Sequence, residues 1–117
     1  MIPGNADYPI PYKREDTIDE RIFTMNKIVN SVPQPIILTD VVIKCTFKQR
    51  PYGQVTYDKT LGAGLTLIDA SLGKFKIDAW QADECGEYDF DIDFLFPSGI
   101  RRTYLSGLLT INDDITK

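Results

Sequence analysis

Glu87-Tyr88-Asp89-Phe90-Asp91-Ile92-Asp93-Phe94-Leu95-Phe96 decides the fold. Tyr88, Phe90, Ile92, Phe94 and Phe96 fall on every second residue, and Glu87, Asp89, Asp91 and Asp93 fill the gaps. A period of two over this length is an extended strand with one face buried and the other wet. Pro97-Ser98-Gly99 stops the run, and a second run, Ile100 to Ile111, follows. Two such runs around a Pro/Gly turn predict a β-hairpin that forms one wall of a core. Gly107 interrupts the second run, where a bulge is expected.

Before the hairpin, Val41, Ile43, Cys45 and Phe47 alternate with Val42, Lys44, Thr46 and Lys48, a strand with one apolar and one mixed face. Ile36-Ile37-Leu38 is expected to open a strand, and Asn30 to Pro35 reads as a loop by its turn residues. Gln49 to Gly64 reads as an exposed loop or a weak edge hairpin around Val55-Thr56-Tyr57. Leu65 to Ile68 is a short strand, Ser71-Leu72-Gly73 a turn, and Lys74 to Ala79 a strand with Phe75 and Ile77 inward. Trp80 to Cys85 is a crossover with room for one helical turn. Residues 13–29 carry two signals. Thr17 with Glu20 fits a capping box and Ile18, Ile22, Met25 and Val29 recur at helical spacing, while Ile22, Phe23, Thr24 and Val29 favour strands.

Residues 1–12 hold Pro3, Gly4, Pro9 and Pro11, which forbid helix and predict an extended arm lying on its own domain or on a neighbour. Short strands between Gly/Pro turns, with no convincing long helix, indicate an all-β sandwich of about six to eight strands, with the arm at 1–12 and the sandwich at 13–117. The expected core is Phe47, Phe75, Ile77, Trp80, Tyr88, Phe90, Ile92, Phe94 and Leu109.

At 117 residues, 43% hydrophobic and 26% charged, the chain makes one ordinary globular domain. A net charge of −4 argues against nucleic acid, which wants a basic patch. No apolar run approaches the length that crosses a membrane. Met1-Ile2-Pro3-Gly4-Asn5 lacks the basic region and apolar stretch of a secretion signal, so synthesis and folding in a cytoplasm are expected. Cys45 and Cys85 read either as a disulfide or as two reduced small hydrophobes, and the second is preferred without a secretion signal.

The acidic row Asp89, Asp91 and Asp93 invites a calcium reading. Carboxylates about 6.7 Å apart along one strand face do not surround an ion that wants six to eight oxygens, so a solvated face is the better reading. The chain has no histidine to serve as a base, no nucleophile elbow and no helix behind Gly62-Ala63-Gly64 to cradle a phosphate. No enzyme, cofactor or metal is expected. Arg101 and Arg102 follow the hairpin turn, either as solvated charges or as salt-bridge partners for a neighbouring subunit. Tyr8, Tyr12, Tyr52 and Tyr57 suit a protein interface or packing on their own domain.

Several segments, in order, resemble the small immunoglobulin-like domain at the N-terminus of phage baseplate upper proteins and related tail or fibre proteins. Tyr12-Lys13-Arg14-Glu15-Asp16-Thr17 is similar to the family's Arg-Gly-Asp-Thr opening, with Glu15 where the family usually has Gly. Pro35-Ile36-Ile37-Leu38-Thr39-Asp40 resembles its Pro-Ile-Asp-Leu-Thr segment, and Val41 to Arg50 its next strand. Gly86-Glu87-Tyr88-Asp89-Phe90-Asp91 resembles Gly-x-Tyr-x-Tyr-Asp. Leu105 to Ile111 and Asp114-Ile115-Thr116 resemble its closing strand and Asp-Val-Thr.

The resemblance implies an immunoglobulin-like sandwich and tips residues 17–29 to strand. It implies a non-enzymatic virion protein, made in the host bacterial cytoplasm, that acts as an adaptor, connector or attachment subunit in a tail, baseplate or fibre. The chain stops at Lys117 where the family usually continues, which fits a free-standing adaptor. Expected partners are other virion proteins, in a homo-oligomeric ring or trimer or a hetero-assembly, with no nucleic acid and no membrane. The expected contacts are the arm and the 49–64 loop, with Ile2, Pro3, Tyr8, Pro9, Ile10, Tyr12, Tyr52, Tyr57, Arg101 and Arg102 as the residues. The alternatives are a capsid-decorating or head-fibre-anchoring protein, and a carbohydrate-binding module that uses Trp80 and the loop tyrosines as a flat platform.

Overall fold

The computed structural model describes residues 4–51, 54–82 and 84–112. Among these residues the chain is all-β and sandwich-like. Its strands are β1 (Gly4–Asn5), β2 (Tyr12–Lys13), β3 (Thr17–Ile18), β4 (Arg21–Thr24), β5 (Asn26–Val29), β6 (Val32–Pro35), β7 (Val42–Gln49) and β8 (Gln54–Leu61). They continue with β9 (Gly64–Asp69), β10 (Lys74–Ile77), β11 (Trp80–Gln81), β12 (Gly86–Leu95) and β13 (Arg101–Asn112). The helical content is one 3₁₀ turn, Ala70–Leu72, which Asp69 caps by accepting from the Ser71 and Leu72 amides.

The hairpin expected at Glu87 to Ile111 is β12 and β13, paired antiparallel from Gly86↔Ile111 to Leu95↔Arg101. β12 pairs on its other side with β7, and β7 with β8. Strand order in the main sheet is β1-β13-β12-β7-β8-β9-β10-β4, with β2 also on β13. This sheet curls until β10 faces β12, with Phe75 at 5.5 Å and nearly perpendicular to Phe94. The side chain of Arg21 on β4, at one end of the strand order, donates to the carbonyls of Ala6 and Asp7 beside β1 at the other end (3.3 and 3.1 Å). The same guanidinium lies over the Tyr8 and Phe23 rings, so one residue clasps the seam.

The core follows the alternation. Phe47, Phe75, Ile77, Tyr88, Phe90, Ile92, Phe94 and Leu109 are all buried, and Trp80 is half-buried against Phe47 and Tyr57. Burying a side chain of this size contributes about 1.5–3 kcal/mol, so this row outweighs any surface pair.

Of the two signals in residues 17–29 the strand one prevails, as β3, β4 and β5. Several expectations are corrected. Residues 30–35 are not a loop, since β6 pairs with β5. Ile36-Ile37-Leu38 is a connector rather than a strand, with the Leu38 amide on the Ala70 carbonyl (3.0 Å). Half of the 49–64 stretch is β8, paired with β7 and, at Thr60 and Leu61, with β9. Trp80–Gln81 is a strand paired with β3 rather than a helical turn. The irregularity in β13 falls at Tyr104, because Ile92 faces Leu105 and Asp93 faces Thr103. The thirteen strand segments among the described residues exceed the expected number because eight of them, β1 to β6, β10 and β11, hold only two to four residues.

Gly107 serves another purpose. A Cβ there would lie 2.6 Å from the Ala6 carbonyl carbon and 2.8 Å from the Asp7 nitrogen, so glycine lets the arm cross β13 at backbone distance. Cys45 faces Ile92, whereas Cys85 precedes Gly86 at the other end of β12. The seven-residue separation from Cys85 to Ile92 spans about 23 Å of strand, beyond any disulfide, and neither cysteine is in one.

Candidate functional site

Residues 26–35 form a finger. Asn30 and Ser31 both have positive φ (52° and 63°), the backbone of a two-residue type I′ turn, with Val29 facing Val32 across it. Nearly every finger residue is exposed, including Ile28 (69%) and Val32 (54%). Pro33 and Pro35 are tolerated because, among the described residues, β6 pairs with β5 alone. A ribbon of two strands is marginal in water by itself, so its base matters. The Met25 amide donates to the Gly73 carbonyl (2.8 Å) and the Ile36 amide to the Met25 carbonyl (2.9 Å). Gly73 has φ 70°, and a Cβ there would lie 2.5 Å from the Met25 oxygen, so this position is closed to other residues twice over.

Between the finger base and the turn after β12 lies a cleft of about 330 Å³, lined by Lys27, Ile36, Phe96, Ser98, Ile100, Arg102 and Tyr104. Phe94 and Phe96 hold the Tyr104 ring at 5.3 and 6.2 Å. Ile37 and Ile100 are exposed beside it. The cleft carries two cations and no carboxylate.

The structure divides the sequence-predicted contacts. Tyr8 and Tyr12 are buried, which corrects their reading as exposed interface aromatics. Tyr8 packs on Phe90 and Tyr12 (5.6 and 6.1 Å), and burial pushes its phenol up to about 12. Burial raises the Tyr12 phenol too, while its hydroxyl donates to Asp19 (3.2 Å). The arm therefore lies on its own domain. The Ala6 and Tyr8 amides donate to the Ser106 and Leu108 carbonyls, and the Leu108 amide donates to the Asp7 carboxylate (2.7, 3.0 and 2.9 Å). Pro9 and Ile10 stay exposed and line a trough with Asp7, Pro11, Leu108 and Thr110. Tyr57 is half-buried between Phe47, Trp80 and Tyr88. Arg101 and Arg102 are exposed, and Arg102 reaches the cleft. Ile2, Pro3 and Tyr52 lie outside the described residues. Sequence reasoning missed the finger, although Asn30-Ser31 between Val29 and Val32 was its signal.

The acidic row lies on the outer face of β12. Asp89 takes a two-pronged bond from Arg50 (2.9 and 2.8 Å), which holds its carboxyl below the usual range. Thr103 donates to Asp93. Burial, then neighbouring Asp93, pushes the Asp91 carboxyl up. Among the described residues no group of three or more His, Cys, Asp or Glu side chains is placed to hold a metal, and no helix is long and apolar enough to cross a membrane. Lys59 is buried with its ammonium 3.7 Å from the Trp80 ring centre, and burial lowers its pKa. With Lys59 over one part of it, and Phe47 and Tyr57 tilted against it at 53° and 68°, Trp80 shares no flat platform with Tyr57.

No family model and no curated protein matches the chain. Among solved structures, Drosophila OTK, extracellular domains 3-5, is similar to it at a TM-score of 0.35 and 14% identity. That alignment covers 95% of this chain and 35% of the other, so this chain spans well under two thirds of the matched length. The likeness carries no argument about fold or function.

Proposed function

We propose that the chain is a non-enzymatic assembly subunit of a bacteriophage virion, an adaptor or connector in a tail, baseplate or fibre. Binding is its whole mechanism. The observation that carries the assembly reading is the ordered, solvent-exposed finger beside an apolar cleft flanked by Lys27 and Arg102. The virion setting comes from the ordered motifs that resemble baseplate upper proteins. Glu15 supports that alignment, because its φ of 72° is the left-handed backbone that favours the glycine usual in the family. The contact surface moves from the arm to the finger end, since the arm's tyrosines are core residues.

The test is mass spectrometry of purified particles of the encoding phage, with wild-type protein and with Ile28→Asp/Val32→Asp. Both substituted side chains are solvent-exposed, so the variant keeps its fold by circular dichroism. The expected result is wild-type protein in the particles and at least about tenfold less of the variant. Particles that lack the wild-type protein refute the virion reading, and equal incorporation of the variant refutes the finger as the contact.

A further inference from the structure

The finger-end cleft needs an occupant that brings apolar atoms and carboxylates together, because its lining is Ile36, Phe96, Ile100 and Tyr104 rimmed by Lys27 and Arg102. The chain itself displays such a surface. The trough beside the arm exposes Pro9 and Ile10 with Leu108 and Asp7, and it runs into a groove of about 530 Å³ that shares Asp7 and Leu108 and adds Asp89 and Asp91. Arg50, the one cation lining that groove among the described residues, is committed to Asp89. Asp91 forms no ion pair and accepts no hydrogen bond among the described residues, and neither does Lys27 form an ion pair there.

These two surfaces do not meet within one copy. The finger springs from the end of the sandwich where β13 begins, and the trough runs on the outer face beside residues 106–112. We infer that the finger end of one copy docks in the arm-side trough of a second copy of this chain. The inference rests on the assembly reading above and names the partner. The contact is heterologous, using different patches on the two copies, so it propagates into a ring or a filament. Opposite charge at its rim makes it salt-sensitive.

The experiment is multi-angle light scattering over a concentration series at low and high salt. Variant one is Lys27→Glu/Arg102→Glu, which spoils the finger end. Variant two is Asp91→Arg, which spoils the trough; both alter exposed side chains, and circular dichroism checks their fold. Wild type is expected to form oligomers that weaken with salt. Each variant alone is expected to associate at least about tenfold more weakly. Mixed together, they are expected to form one-to-one dimers and grow no further, because each supplies one intact half. An isologous contact or mere stickiness does not produce that pattern. A wild type that stays monomeric at every concentration, or a mixture that stays monomeric while wild type assembles, overturns the inference. A monomeric wild type that is nonetheless found in particles leaves the assembly reading standing, whereas absence from particles removes both.

Discussion

Gly107→Ala should loosen the N-terminal arm, and the structure sets the size of the effect. The backbone at Gly107 is outside the left-handed region, so alanine brings no dihedral penalty. Its new methyl would lie 2.6 and 2.8 Å from the Ala6 carbonyl carbon and oxygen and 2.8 Å from the Asp7 nitrogen, which are backbone atoms with no rotamer to change. Overpacking of this kind costs about 1–3 kcal/mol. If relieving it by small shifts is dearer than that, the arm departs and the Ala6–Ser106 and Tyr8–Leu108 bonds open.

Either way, amide exchange at Ala6 and Tyr8 should accelerate by about 5- to 150-fold relative to β12, the factor for that free energy. The melting temperature should fall by about 4–15 °C. Gly99→Ala is the control. Gly99 has φ 90° and open space around it, so alanine there strains the turn without touching the arm. Gly107→Ala with unchanged arm exchange and stability within about 0.5 kcal/mol of wild type would refute the backbone-contact reasoning.

Two further outcomes follow from local geometry. Glu15→Gly should raise stability by up to about 1 kcal/mol in urea titration, because left-handed backbone penalises a side chain more than glycine's extra freedom costs, and Glu15→Val should lower it. In alkali, Cys45 sets the first slope. Its folded thiol is pushed from 9.0 to about 12 by burial, so above pH 9 the unfolded state sheds the proton first, binds fewer protons and gains population. Stability is whole below pH 9 and should fall by about 2 kcal/mol by pH 10.5. Cys45→Ala should flatten the pH 9–10 portion of urea midpoints, since Tyr8 titrates higher and Lys59, lowered by burial, acts with the opposite sign. An unchanged slope in Cys45→Ala would remove the thiol as its source.

The hairpin and the core were legible because alternation and burial coincide there. Every second residue from Tyr88 to Phe94 is buried and the intervening acids face water. Residues 54–61 hid their strand because Lys59 occupies an inward position, where only its place on the Trp80 ring and opposite Cys45 makes a lysine acceptable. Residues 17–29 carried a helical spacing beside their strand-favouring residues because three short strands with breaks at Asp19–Glu20 and Met25 leave apolar residues three and four apart. The arm's tyrosines looked exposed because Pro9 and Pro11 mark an irregular segment, yet an irregular segment laid along β13 still turns Tyr8 and Tyr12 inward.

The arm and the finger exchange roles between sequence and structure. Prolines in the arm signalled an extended segment held by its own domain or by a neighbour. The fold itself holds it, through Gly107 on one side and the Arg21 clasp on the other. Prolines in residues 30–35 signalled a loop, and there the chain builds a ribbon. A loop with no purpose beyond connection needs neither paired positive-φ residues at its tip nor a glycine that admits two carbonyls at its base. The finger has both, and packing does little to hold it, since its apolar side chains face water. Local conformation, not burial, specifies its shape. The positive-φ tip presents Ile28 and Val32 to solvent, which is the arrangement the proposed external contact requires. On the assembly reading proposed above, the contact surface is the finger with its neighbouring cleft, and the arm is a structural edge of the sandwich.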